Sequence, residues 1–325
     1  MQDPMNSQRP FRLLRSMLFV PATSPKFFAK AATGAADGII LDLEDAVAPH
    51  LKDEARSAAV AALNDVDWGA KTMAVRINAV ETPHNHADVL ALVASAPRLD
   101  LIVLPMVNTP DDVRFVATLL DQAERKLGRD KRIGIEGILE TPLGLENAGA
   151  IAQASPRLEA LSFGAGDYSV EMGMRSRSVG GADPDYALHD TGPDGARRTH
   201  LGDKWHYASA RIANACRAYG LRPRDSAYAD FKDAAGYEAA CKRAVALGFE
   251  GKSAIHPAQV EIANRVFAPA PEDIAWARNL LDKLGEQLKA GHGALAIDGE
   301  MVDLANIKVA ENILQKAEHM ERAGS

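Results

Sequence analysis

At 325 residues the chain exceeds a typical single domain, yet one (β/α)8 barrel of about 250 residues with extensions accounts for it. Hydrophobic residues make up 47% and charged residues 25%, which supports an ordinary globular core and excludes wholesale disorder. A net charge of −7 with 6% aromatics argues against a nucleic-acid partner, duplex or single-stranded.

No apolar run approaches the ~20 residues that cross a bilayer, so no membrane partner is expected. Cys216 and Cys241 lack ligand-like spacing and read as reduced thiols of a cytoplasmic protein.

Along the chain, short β-branched runs alternate with longer alanine-rich amphipathic ones, which is how repeated βα units are written. Strands are expected at 17–21, 38–43, 72–77, 101–106, 132–140, 158–163, 226–229 and 251–255. Eight such units in one chain predict a closed (β/α)8 TIM barrel, an α/β fold, rather than an open sheet. Ser24-Pro25 and Thr109-Pro110-Asp111 each open a helix with a cap and a first-turn proline, and a long helix from Trp205 ends at Gly220. The stretch 172–204, rich in Gly, Asp, Pro and Arg, interrupts the sixth unit and reads as a lid or an interface loop. Residues 11–268 form the expected barrel. Residues 269–325 are assigned to a C-terminal helical lid and oligomerisation extension, with Gly291-His292-Gly293 as its hinge.

Three charged residues each close an apolar run: Arg76, Glu140 and Asp167. A charge inside a buried strand is costly, whereas the carboxyl end of a barrel strand is where chemistry is placed. Glu140 and Asp167 end neighbouring strands, and two carboxylates suffice for Mg2+ when substrate and water complete the shell. The other reading is two surface carboxylates. Gly164-Ala165-Gly166 offers open backbone N–H groups to a carboxylate or oxyanion, and Thr141-Pro142 starts a helix whose dipole points at the same mouth. Asp42, Glu44 and Asp45 crowd the end of strand two; they either pair with Arg76 and cap a helix or hold metal-bound waters. Arg9, Arg12, Arg15, Lys26 and Lys30 form a basic run without an acid, which suits a phosphate-bearing ligand; Lys26 and Lys30 read alternatively as a solvated helix face. Ile255-His256-Pro257 ends strand eight, with His256 either orienting the loop or lining the ligand.

Five segments in order resemble the HpcH/HpaI aldolase/citrate lyase beta-subunit family. They are Arg15-Ser16-Met17-Leu18-Phe19-Val20-Pro21, Leu41-Asp42-Leu43-Glu44-Asp45-Ala46-Val47, Val75-Arg76-Ile77-Asn78, Ile138-Leu139-Glu140-Thr141-Pro142 and Ala254-Ile255-His256-Pro257. Gly173-Met174, Gly180-Gly181 and Trp205-His206 in the insertion are similar to the malyl-CoA/β-methylmalyl-CoA lyase branch. Gly299-Glu300-Met301-Val302-Asp303 matches the family's closing lid.

The resemblance implies a Mg2+-dependent lyase (Mn2+ as an alternative) that cleaves L-malyl-CoA to acetyl-CoA and glyoxylate. β-Methylmalyl-CoA or citramalyl-CoA are alternative substrates, with propionyl-CoA or another 2-oxo acid as the corresponding product. It implies Glu140 and Asp167 as metal ligands, with Asp42, Glu44 and Asp45 behind them. Arg76 becomes the substrate and enolate contact, and Asp303 from a neighbouring subunit the acid/base. Phe19, Lys26 and Lys30 then line the coenzyme A site, with Ile255 and His256 nearby, and Ala165, Gly166 and Asp167 hold the 2-oxo acid. A homo-oligomer, trimer or hexamer, follows. Ser24 departs from the arginine common in relatives, leaving Lys26 to take the phosphate. A malyl-CoA thioesterase and a citrate lyase beta-type subunit are the alternatives on the same scaffold.

Overall fold

The computed structural model describes residues 9–175, 178–288, 295–297, 300–302 and 304–324. The chain divides into two compact units, Met1–Arg265 and Val266–Ser325.

The first unit is a closed parallel barrel built from β1 (Ser16–Pro21), β2 (Gly38–Asp42), β3 (Thr72–Arg76), β4 (Leu101–Leu104), β5 (Gly134–Leu139) and β6 (Leu158–Phe163). An antiparallel hairpin of β7 (Ala187–Thr191) and β8 (Arg197–Leu201) intervenes before β9 (Arg222–Asp225) and β10 (Gly251–Ala254) return to the barrel. The closed order is β1-β10-β9-β6-β5-β4-β3-β2. Every residue of β2, β4, β5 and β6 is buried, as expected of strands covered by helices outside and packed side chains inside. Thr109 and Asp112 close a reciprocal cap on the Pro110–Leu127 helix. Ser24 makes no side-chain cap; a single 3-10 turn, Pro25–Phe27, precedes the helix there.

Strand seven lies upstream of its expected place, at Arg222–Asp225 instead of 226–229. Arg-Pro-Arg-Asp does not look like a buried strand until its partners are known. Arg224 donates from Nε to Glu136 Oε1 at 2.8 Å, and also bonds Ser253, while Asp225 takes the Lys252 ammonium at 2.6 Å. Pairing removes the penalty that makes such charges improbable inside a strand. The barrel interior is therefore two-sided. Met17, Ile40, Ala74, Leu101, Val103 and Ile138 pack an apolar cluster, and Glu136, Arg224 and Lys252, all buried, form a charged one.

Arg9, Arg12 and Arg15 precede β1 and so lie at the amino-terminal end of the barrel, away from the mouth. Arg12 pairs with Glu159 at 2.9 Å and with Asp100 at 3.2 Å, Arg15 pairs with Asp37 at 2.7 Å, and Arg9 donates to the Tyr219 carbonyl. The expected phosphate patch is thus divided, and its arginines tie the bottom of the barrel together. The insertion contributes the exposed β7–β8 hairpin. It is anchored by buried Trp205, whose indole N–H donates to the Gly181 carbonyl at 3.1 Å.

In the second unit, helices Pro271–Leu288 and Leu304–Gly324 pack through Ala277, Leu280 and Ala310. Strands Leu295–Ile297 and Glu300–Val302 pair antiparallel. Gly291 to Gly293 lie outside the described residues. Among the described residues, no helix is long and apolar enough to cross a membrane.

The Arg224–Glu136 pair generates a stability test. Arg224→Leu should cost about 3–5 kcal/mol, because Glu136 stays buried without its counter-charge; adding Glu136→Leu should recover most of that loss. Urea titrations of both variants check this, and equal stability of the two would mean that Glu136 draws nothing from Arg224.

Candidate active site

At the carboxyl ends of the strands the barrel opens into a cavity of about 460 Å3. Phe19, Asp42, Asp45, Arg76, Glu140 and Asp167 all line it, as do Ala165, Gly166 and Ile255.

Register explains how these side chains meet. Asp42 and Arg76 are direct neighbours across β2 and β3. Asp42 accepts the Arg76 guanidinium through both oxygens, each at 2.7 Å. The same arginine reaches Glu44 at 2.8 Å and Asp45 at 2.9 Å. Asp42 also accepts the backbone N–H groups of Glu44 and Ala46, and the Lys52 ammonium bonds the carbonyls of Leu43 and Glu44. The acidic loop is held rigidly around its arginine. The guanidinium stands 5.1 Å from the centre of the Phe19 ring, a cation–π contact that fixes its remaining face. Asp45 caps no helix; the next regular helix, Lys52–Asp65, begins well beyond it.

Glu140 follows β5 and is 3% exposed. Its Oε1 accepts the Met106 N–H at 2.7 Å, and Met106 is the one non-glycine described residue with positive φ, 53°. That backbone strain points an amide at the carboxylate. Gly164 passes so close that any Cβ there would collide with the Glu140 carboxylate. Asp167, half-buried, sits in the short Ala165–Glu171 helix just beyond. The helix after Glu140, Pro142–Glu146, has five residues, too short for the expected dipole to carry weight.

The charges are unevenly matched. Burial raises Glu140 well above the ordinary carboxylate range, and the nearby Asp167 and Glu44 add repulsion. Burial likewise pushes Glu44 up to about 7; Arg76 pulls it back, while Asp45, Asp42 and Asp167 raise it. Burial alone would lower the Arg76 guanidinium, but the Asp42 hydrogen bonds hold it above its usual value. Among the described residues no group of three His, Cys, Asp or Glu side chains forms a metal cluster. Two carboxylates with hard oxygens, neighbours in one cavity and repelling each other, fit an ion that draws its other ligands from water and substrate, as Mg2+ does.

Other expected residues fall elsewhere. Lys26 and Lys30 are exposed and outside the cavity lining, with the Lys26 ammonium 5.0 Å from the Phe27 ring. His256 stacks on Phe231, centroids 4.7 Å apart, and its Nδ1 accepts the Ala258 N–H. Asp303 lies outside the described residues. Sequence reading missed Met106, whose role is visible only in its backbone angle. It also missed Ser162, Arg224 and Val179, cavity-lining residues that carry no motif.

A closed parallel barrel whose carboxyl-end cavity gathers buried acids around one arginine has the architecture of an α/β-barrel enzyme. The chain belongs to the HpcH/HpaI aldolase/citrate lyase family, whose pattern matches residues 15–257, and it is a lyase. It is 42% identical over 310 residues to an L-malyl-CoA/beta-methylmalyl-CoA lyase of Cereibacter sphaeroides, covering 95% of this chain and 96% of that one. A (3S)-malyl-CoA thioesterase of the same species is 35% identical, covering 96% and 97%. Among solved structures, the protein CitE of Mycobacterium tuberculosis in complex with magnesium, acetoacetate and coenzyme A superposes with a TM-score of 0.71 at 30% identity. That match covers 94% of this chain and 100% of the other.

The raised carboxylates give a pH test. A carboxylate whose folded value is raised contributes stability that is full below its ordinary 4.5 and is lost as pH rises toward the folded value; for Glu44 the loss runs from 4.5 to about 7 and is complete above that. Metal-free protein should therefore melt lower at pH 8 than at pH 5.5. Glu140→Gln should melt about 2–4 °C above wild type at pH 8, the shift that ~1 kcal/mol produces, with a smaller gap at pH 5.5. Thermal melts in chelator measure both, and a gap independent of pH would remove the charge argument.

Proposed function

We propose that this chain is a Mg2+-dependent lyase that cleaves L-malyl-CoA, or a β-methylated analogue, to an acyl-CoA and glyoxylate by reversible retro-Claisen chemistry. The observation that carries the reading is one cavity holding Glu140, Asp167 and Arg76. The 42% identity to a malyl-CoA/beta-methylmalyl-CoA lyase supports it.

Glu140 and Asp167 are assigned to hold the cation. When bound, the cation lowers the pKa of a coordinated hydroxyl and polarises the carbonyl formed from it. The Ala165-Gly166-Asp167 backbone is assigned to orient the 2-oxo acid. As the 3-hydroxyl gives its proton to water at the open mouth, its oxygen becomes the new carbonyl, the C2–C3 bond breaks and that electron pair moves into the thioester, forming an enolate. Arg76, already desolvated and held by Asp42, donates to the enolate oxygen without reorganising, an effect worth about 2.7–4 kcal/mol for a comparable donor. Phe19 packs against that arginine, while Lys26 and Lys30 are assigned to coenzyme A at the rim. Asp303 is assigned to protonate C2, and in the condensation direction to remove the same proton.

The test is to incubate purified protein with acetyl-CoA or propionyl-CoA plus glyoxylate, with and without Mg2+. Malyl-CoA or its methyl analogue should form only with the metal. Asp167→Asn should abolish turnover, and Arg76→Lys should lower kcat by about 10²–10³-fold, the range for one lost oxyanion donor. Full activity in chelator would sink the mechanism. The thioesterase reading draws on the 35% identical relative of that name; free malate rather than glyoxylate from malyl-CoA would establish it instead.

An active site completed between subunits is part of the proposal. Mixing Asp303→Asn with Arg76→Lys protomers should restore part of the activity, because hybrids contain sites with one intact barrel and one intact lid. Exchange without recovery would place the lid on its own barrel.

A further inference from the structure

Beneath Glu140 the cavity has a polar floor. Ile138, Ser162 and Arg224 stand in register across β5, β6 and β9, and all three line the cavity. Ser162 is 1% exposed, and its Oγ has no hydrogen-bond partner among the described residues. Leaving a hydroxyl buried and unpaired is costly, and replacing it by a methyl would remove that cost. Arg224 spends three of its five N–H groups, on Glu136 twice and on Ser253 once. The other Glu136 oxygen is likewise buried without a partner.

The depth of this floor limits what reaches it. Ser162 lies two residues before Gly164, which abuts the Glu140 carboxylate, so the hydroxyl sits about 6.6 Å lower along the strand. A molecule held near Glu140 and touching the floor is two to four carbons long. We propose that Ser162 is a specificity-determining residue that hydrogen-bonds the 2-oxo acid, and that the polar floor selects glyoxylate over a 2-oxo acid with an apolar substituent. This rests on the lyase reading above. With the carboxylate of the 2-oxo acid turned to Ser162, the methyl that pyruvate carries in place of the glyoxylate hydrogen also meets the floor, where it excludes water from the spare guanidinium N–H groups and leaves them unpaired.

The experiment compares wild type with Ser162→Ala in condensation assays with acetyl-CoA and either glyoxylate or pyruvate, and in thermal melts. The KM for glyoxylate should rise about tenfold, with the KM for acetyl-CoA unchanged, and the glyoxylate-to-pyruvate ratio of kcat/KM should fall about tenfold. Without ligands the variant should melt at or above wild type, as a purely structural hydroxyl would not allow. An unchanged glyoxylate KM and ratio, or a variant that melts lower with both KM values raised together, overturns the proposal. If wild type condenses nothing, the lyase reading fails. The floor contact still stands if glyoxylate with Mg2+ raises the melting temperature of wild type and not of Ser162→Ala, and it falls if neither shifts.

Discussion

Five carboxylates crowd one mouth around one arginine. Asp42, Glu44 and Asp45 all pair with Arg76, which leaves Glu140 and Asp167 with little positive charge of their own. A closed barrel brings these groups together whether or not their charges balance, because strand ends converge on a common axis. The imbalance determines much else. It adds to the burial that keeps Glu140 reluctant to ionise. It also makes a hard divalent cation the natural complement of the cavity.

The supporting structure works by restraint at the carboxylate. The Met106 amide, held by a strained backbone, fixes one Glu140 oxygen, and Gly164 makes room for the other. On the opposite side, the bidentate Asp42 contact and the Phe19 ring leave Arg76 one orientation. Groups preorganised in this way lose little on meeting a developing charge, which is the condition for strong electrostatic stabilisation.

The barrel interior repeats the division between an apolar and a charged side. Met17, Ile40, Leu101 and Val103 fill one side as an ordinary core, whereas Glu136, Arg224 and Lys252 fill the other through paired charges. Such pairs contribute little net stability compared with apolar packing. Their consequence lies in the cavity they underlie, whose floor is polar and where the buried Ser162 hydroxyl has no partner among the described residues.

Seven of the eight barrel strands were legible in the chain, most of them because a strand buried on both faces is written as a nearly continuous apolar run, although β10, Gly251–Ala254, carries Lys252 and Ser253. Arg76, Glu140 and Asp167 stood out for the same reason, as charges that interrupt such runs at their ends. The seventh strand was not legible: Arg224 and Asp225 become strand residues only through partners 88 and 27 positions away in the chain. Nor could sequence separate Arg12 and Arg15, which close the bottom of the barrel, from Lys26 and Lys30, which follow β1 toward the mouth. Local composition thus determined the number and type of elements and the residues that end them. Tertiary structure alone decided which charges face one another, because pairing, burial and the strain at Met106 depend on distances across the barrel that no neighbouring residue encodes.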